Sequence, residues 1–215
     1  MASTELEKKF HEVGDALIWK WQQPDGRDLI REGAKIVTHL INHGPLPPEV
    51  ADAMLPAADQ DKGMVEYFAA RDYDLEVNAA GDIVGAGISL ICDHRSAVHI
   101  SEINGRRFYN WCVCDIVMFP IILGVESPCS TVCPATKERI TFTVTPTGFD
   151  ELSHPGAWFT LAPAHGGEIR KVYCDRVNIY RDKDAAVAAA TADPDIACAP
   201  IAELWTDTKK LADMF

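Results

Sequence analysis

The spacing of apolar residues changes once along the chain, from a helical period to an alternating one. Leu6, Phe10, Val13, Leu17 and Trp21 recur three or four positions apart, which puts one apolar stripe on a helix that Ser3 or Thr4 can cap and that Pro24 and Gly26 end. A second helix turns Leu29, Ile30, Ile36, Val37, Leu40 and Ile41 inward and stops at Gly44. Pro47 and Pro48 open a short third helix carrying Val50 and Met54, and Asp59 or Asp61 caps a fourth carrying Met64, Val65 and Phe68. From Asp74 onward the pattern is that of strands: residues 83–91, rich in β-branched residues and glycine, and residues 97–103, with a turn at 79–82 before them. Asn104-Gly105 is a tight turn that leads directly into a central helix over 106–124. After it, 124–131, 138–145 (with Ile140, Phe142 and Val144 alternating) and 157–161 read as strands of an antiparallel or mixed sheet behind that helix. Gly166 and Gly167 precede a short segment over 168–174 that leads into 177–180, and two helices close the chain over 184–192 and 200–214. The expected fold class is α+β, with a helical region over 1–73 and a sheet-and-helix core over 74–215.

Short helices followed by strands resemble a winged helix, and charge tests the DNA-binding role such a region could have. The 215 residues carry a formal net charge of −12, and between positions 47 and 70 the only base is Lys62, against Glu49, Asp52, Asp59, Asp61 and Glu66. So acidic a recognition helix is repelled by phosphate, so neither nucleic acid nor an anionic membrane surface is expected as a partner. The longest apolar run, 116–125, is too short to span a bilayer and contains Pro120. The amino terminus reads as a polar helix rather than a signal peptide, so a soluble, cytoplasmic protein is expected. With 47% hydrophobic residues the chain can bury a substantial core.

Chemistry concentrates in the central stretch, where a thiol and a carboxylate stand in an apolar segment. On a helix, Cys112 and Asp115 are three residues apart and share a face, continued above and below by Phe108 and Phe119. Cys114 then falls on the far side and is assigned to packing. The seven cysteines are an odd number at irregular spacing, which disfavours a disulfide framework. Cys92 and Cys198 are also assigned to packing and Cys133 to support of the sheet. A four-thiolate zinc site from Cys112, Cys114, Cys129 and Cys133 is the weaker alternative, because neither pair has the usual Cys-x2-Cys spacing. The seven histidines form no metal-binding pattern. Tyr109 and Trp111 are candidates to line or back a pocket, with packing in the hydrophobic core as the equal alternative.

The residues Arg106-Arg107-Phe108-Tyr109-Asn110-Trp111-Cys112-Val113-Cys114-Asp115, with Phe119-Pro120 and Leu123-Gly124, resemble the signature of the organomercurial (alkylmercury) lyases. Two further blocks agree in order: Cys133-Pro-Ala-Thr with Ile140-Thr-Phe-Thr-Val-Thr-Pro146, and Ile169-Arg170-Lys171-Val172-Tyr173-Cys174 with Val177. The likeness reaches back through 82–90 and is loose at both ends. It implies that Cys112, Asp115 and Cys174 are the catalytic residues, and that the helical amino-terminal region resembles a winged helix without binding DNA.

The implied reaction is protonolysis of a carbon–mercury bond. Two thiolates on the soft metal push electron density onto the carbon, and Asp115 takes a thiol proton and delivers it there, leaving Hg(II) on Cys112 and Cys174 beside Asp115. No organic cofactor is implied. Small thiols are expected as co-reactants, and a mercuric reductase as recipient of the Hg(II). A non-catalytic soft-metal (Hg, Cu or Zn) binding or sensing protein on the same scaffold is the alternative. Three positions depart from the family pattern: Asp175 stands where a second cysteine can occur, Lys137 where glycine is common, and Cys114 is an added sulfur.

Overall fold

The computed structural model describes residues 3–92 and 98–214. Helix α1 (Ser3–Gln22) buries Leu6, Phe10 and Leu17. Its expected cap lies outside the described side chains. Helix α2 (Pro24–His43) begins two residues after α1 ends, so Gly26 lies inside it rather than ending α1. The crossing needs a glycine there: a Cβ at Gly26 would stand 2.5 Å from the Lys20 carbonyl oxygen. Gly44 stops α2, and α3 (Pro48–Met54) follows. Helix α4 (Met64–Ala69) is capped by neither Asp59 nor Asp61; Asp52 of α3 accepts the Met64 N–H at 2.6 Å.

Strand β1 (Glu76–Val77) precedes the turn, and β2 (Ile83–Ala86) and β3 (Ile88–Ser89) replace the single strand expected over 83–91. Gly87, at φ +80, folds β2 back on β3. Strand β4 (Ile100–Ile103) turns through Asn104-Gly105 into β5 (Arg106–Asn110), with Ile103 opposite Arg106. The first half of the expected central helix is therefore strand; helix α5 (Val113–Leu123) begins only after it. The reason is the hairpin turn, whose two positive-φ residues are followed by immediate ladder pairing. Strands β6 (Ser127–Val132), β7 (Arg139–Thr145) and β8 (Gly148–Asp150) complete an antiparallel sheet in the order β1-β2-β3-β5-β4-β6-β7-β8.

Strand β9 (Trp158–Leu161) leads to the one-turn helix α6 (Ile169–Val172), a 3-10 turn over Cys174–Arg176, and β10 (Ile179–Tyr180). Helix α7 (Lys183–Ala192), strand β11 (Ala197–Pro200) and helix α8 (Ile201–Ala212) finish the chain. A second antiparallel sheet runs β10-β9-β11. Phe10 of α1 meets Phe159 of β9 edge to face, so α1 packs on this second sheet. The α+β expectation holds, and the strand pairs of the described residues are antiparallel.

Two apolar cores result, and α5 lies between them. Val113, Ile116 and Val117 face the core shared by α1, β7, β9 and α8, while Phe119 enters the one built from α2, α4, β2 and β5. Pro120 sits inside α5 and cannot donate to the Ile116 carbonyl; the Cys129 thiol points at that oxygen from 3.8 Å. No helix of the described residues is long and apolar enough to cross a membrane.

Candidate active site

Cys112 is the residue at which β5 gives way to α5. It is extended, at φ −151 and ψ 178, and is the N-cap rather than a helical residue. Asp115, three residues on, accepts the Cys112 N–H on Oδ2 at 3.0 Å, while its own N–H turns to the Cys112 side chain. This capping box holds sulfur and carboxyl together for a reason already present in the chain's local geometry. The expected proximity of Cys112 and Asp115 is found, but its cause is a cap rather than a shared helical face. Phe108, in β5, does not extend that face.

Cys174 arrives from the other side of the molecule, on the 3-10 turn after α6. Glu168 caps α6 by accepting the Arg170 N–H at 2.9 Å, and Ile169 is tied to the Asp72 carbonyl at 3.0 Å. Among the described residues, the donor atoms that converge closely enough to share an ion are those of Cys112, Asp115 and Cys174. They all lie within 4.8 Å of one another, and all three residues are buried. Cys129 and Cys133 do not join them. The Cys129 thiol is 3.3 Å from the Ser127 carbonyl, and the Cys133 thiol is held by Thr136 and neighbouring backbone, so the four-thiolate zinc arrangement does not form.

Cys114 is placed differently from the expectation that put it on the far side. Because Cys112 is a cap, the helical angle between positions 112 and 114 does not apply, and the two thiols face each other. Cys114 Sγ is also 3.0 Å from the Tyr173 hydroxyl.

The electrostatics follow from burying several acids in one place. Burial by itself raises the Cys112 thiol, but hydrogen bonds from the Cys114 and Cys174 thiols and from the Asp115 N–H outweigh it and hold Cys112 well below the usual thiol value. Cys174 and Cys114 move well up, first because each gives its hydrogen bond to Cys112 and then through burial. Asp115 is pushed well above the carboxylate range by burial and then by the Cys112 charge, with Arg170 opposing. These shifts favour negative charge on Cys112 and a proton on Asp115. Tyr73 is raised by burial and by Asp115, so it stays a neutral phenol beside the carboxyl.

An apolar cavity of about 100 Å³ reaches Cys114, Asp115 and Cys174, while Cys112 lies behind them and is not among its lining residues. Trp21, Ile30 and Val37 of the first two helices and Met118 and Phe119 of α5 line it, with Asp115, Cys114 and Cys174 at its polar end. Trp111 lines it as expected, whereas Tyr109 is not among its lining residues. Behind Trp111, Glu76 Oε1 accepts from the indole N–H at 2.9 Å and from Arg170 at 2.6 Å, and the Arg170 guanidinium lies 4.6 Å from the indole ring centre. Gly87 closes the site from the sheet: its carbonyl accepts the Trp111 N–H at 2.8 Å, and a Cβ there would stand 2.9 Å from the Phe119 ring and 3.2 Å from Asp115 Oδ1. Reasoning from sequence missed Tyr73, Glu76, Gly87 and the second-layer roles of Arg170 and Tyr173. Only the glycine carried a visible signal, as a break in a β-branched run.

The alkylmercury lyase family model matches residues 94–213, which include Cys112, Asp115 and Cys174. An alkylmercury lyase of Pseudomonas putida is 32% identical over 127 residues, a match covering 59% of this chain and 58% of that protein, less than two thirds of its length. One of Streptomyces lividans is 25% identical over 159 residues, covering 74% of this chain and 72% of its own. In fold, the chain is similar to the crystal structure of the mercury-bound form of MerB2, with a TM-score of 0.71, 15% identity and 99% of each chain covered. Over a matched region longer than half its length, and with that architecture, the chain belongs to the alkylmercury lyase family.

Proposed function

We propose that this protein is a cytoplasmic organomercurial lyase in which Cys112, Cys174 and Asp115 cleave a carbon–mercury bond by protonolysis. The observation that carries the reading is the convergence of two buried sulfurs and one buried carboxyl within 4.8 Å, with Asp115 and Cys174 lining an apolar cavity. Mercury prefers sulfur, an apolar cavity suits an organic group, and a buried acid beside both sulfurs is a proton source for the carbon.

Cys112, already inclined to the thiolate, attacks first. It displaces the small thiolate that delivered the substrate, which leaves as the thiol with the proton of Asp115. Binding the metal removes the Cys112 charge, the second cause after burial that raises the carboxyl, so Asp115 becomes a better base. It takes the proton of Cys174, whose sulfur joins the mercury. Two thiolates then enrich the carbon, Asp115 returns its proton to it, and the hydrocarbon departs. Hg(II) remains on Cys112 and Cys174, with Asp115 ionised beside it. Two protons, from Asp115 and Cys174, have gone to the departing thiol and to the hydrocarbon. Small thiols are needed to deliver substrate and strip product, and a mercuric reductase is the fitting recipient.

Replacing Asp115 with Ala tests the proton-carrier role. Hydrocarbon release should fall about 10²–10⁴-fold while Hg(II) binding to the two sulfurs survives. Turnover unchanged in Asp115→Ala would remove Asp115 from the mechanism. No turnover by the intact protein, with tight Hg(II) binding, would support a soft-metal binding protein instead.

A further inference from the structure

The side of α2 that faces the cavity is uneven. Leu29 and Ile30, Gly33 and Ala34, and Val37 and Thr38 all line it, as three pairs one turn apart on a single helical face. The middle pair are the two smallest residues, so the wall carries a notch between two larger pairs. Gly33 makes this notch against the preference of the helix, since it stands in the middle of α2 and glycine is the poorest helix former after proline. Neither backbone nor packing asks for it. Gly33 is helical and is not one of the positive-φ glycines. Outside its own helix, a Cβ there would meet only Phe68 Cε1, at an ordinary 4.0 Å. The other helical glycines are more tightly placed: Gly26 is forced by the crossing of α1 and α2, and a Cβ at Gly14 would stand 3.4 Å from Asp207 Oδ2. What the missing side chain of Gly33 provides is room in the cavity.

We propose that the Gly33-Ala34 notch receives the organic group of the substrate, and that Gly33 sets the upper size of that group, admitting an aryl ring such as phenyl. The inference rests on the proposed lyase site and deepens it by naming the residue that selects among organic groups. Asp115 and Cys174 line the same cavity as this face of α2, so a group carried on mercury at the sulfurs has the cavity to occupy. None of the six α2 residues that line it is charged, which suits a hydrocarbon. Size then decides. An enclosed apolar cavity of about 150 Å³ takes up benzene, so the present one, at about 100 Å³, is close to the limit for a six-membered ring. A methyl group leaves the notch empty, whereas a phenyl group needs it. Filling the notch therefore changes the choice between substrates and leaves the bond-breaking groups untouched.

The test compares the full chain with Gly33→Ala and Gly33→Leu, measuring hydrocarbon release from phenylmercury and methylmercury in excess small thiol. Carbon added to an apolar pocket shifts discrimination steeply, so the phenyl-to-methyl ratio of kcat/KM should fall about tenfold or more in Gly33→Leu, and less in Gly33→Ala. The rate on methylmercury should stay within about twofold of that of the intact protein, since the smaller group does not use the notch. Gly33→Ala should melt no lower than the intact protein, because alanine favours the helix and its methyl meets Phe68 without strain. An unchanged ratio in both variants, or an equal loss on both substrates, would overturn the proposal. If Gly33→Leu does not fold, Gly33→Ala decides alone. Turnover with an unchanged ratio would keep the lyase reading and sink this one. If the intact protein releases no hydrocarbon, the lyase reading fails and the ratio is read instead from equilibrium binding of the two mercurials against a competing small thiol. A lower phenyl-to-methyl affinity ratio in the variants would then keep the notch, and an unchanged one would remove it.

Discussion

Gly87 shows how little room surrounds the acid. At φ +80 it takes a conformation that side chains rarely adopt, and any Cβ would press on both the Phe119 ring and Asp115 Oδ1. Gly87→Ala should therefore cost about 2 kcal/mol of stability and at least tenfold in turnover, read from a denaturant melt and from hydrocarbon release. A variant with full activity would show that Asp115 is not held by this contact. Lys137 makes the opposite point. It occupies the left-handed region at φ +62, a conformation that glycine takes more easily than lysine. Cys129 finds a structural use, facing the carbonyl that Pro120 leaves without its helical donor.

At the scale of elements, the decisive feature is the junction of β5 and α5. Apolar pattern placed the amino-terminal helices, the alternating strand β7 and the Asn104-Gly105 turn, because each depends on local spacing or turn chemistry. It failed over 106–112, where a run of large side chains suits strand or helix equally and pairing with β4 and β3 decides. The same failure hid Cys114, whose position depends on Cys112 being a cap. Cys112 and Asp115 were legible as a pair, while Cys174 was legible only through the family resemblance, since nothing local announces which distant sulfur will arrive. The Glu76–Arg170–Trp111 contacts join β1, α6 and the residue before Cys112 across more than ninety positions, beyond the reach of any spacing argument. Glu76→Gln keeps the shape but weakens the ion pair with Arg170. It should lower stability by about 1–3 kcal/mol and slow turnover, and a melting curve identical to that of the intact protein would show that the carboxylate contributes nothing.

For the molecule as a whole, the site is assembled where two cores meet, so global stability and site geometry are coupled. The first two helices supply part of the cavity wall, while the start of α5 and the 3-10 turn after α6 supply the two sulfurs and the carboxyl. The chain's net charge of −12 agrees with a small-molecule site rather than a polyanion surface. One buried group should show in the pH dependence of folding. His99 meets the Thr131 hydroxyl at 2.8 Å, and burial lowers its pKa to about 4. In the unfolded chain a histidine takes its proton near 6.5, so as pH falls the unfolded state is protonated first. This contribution is complete above pH 6.5 and is lost between there and pH 4, up to about 3 kcal/mol in all. His99→Gln should flatten that part of the curve relative to the intact protein. Parallel curves through the window would contradict a neutral, buried His99.

The central claim is tested most directly by the release of hydrocarbon from an alkylmercury compound in excess small thiol, comparing the intact protein with Cys112→Ser and Cys174→Ser. The account predicts repeated turnover by the intact protein and its loss in either variant. Contradiction would come from an intact protein that binds Hg(II) but releases no hydrocarbon, or from a serine variant that turns over at the full rate.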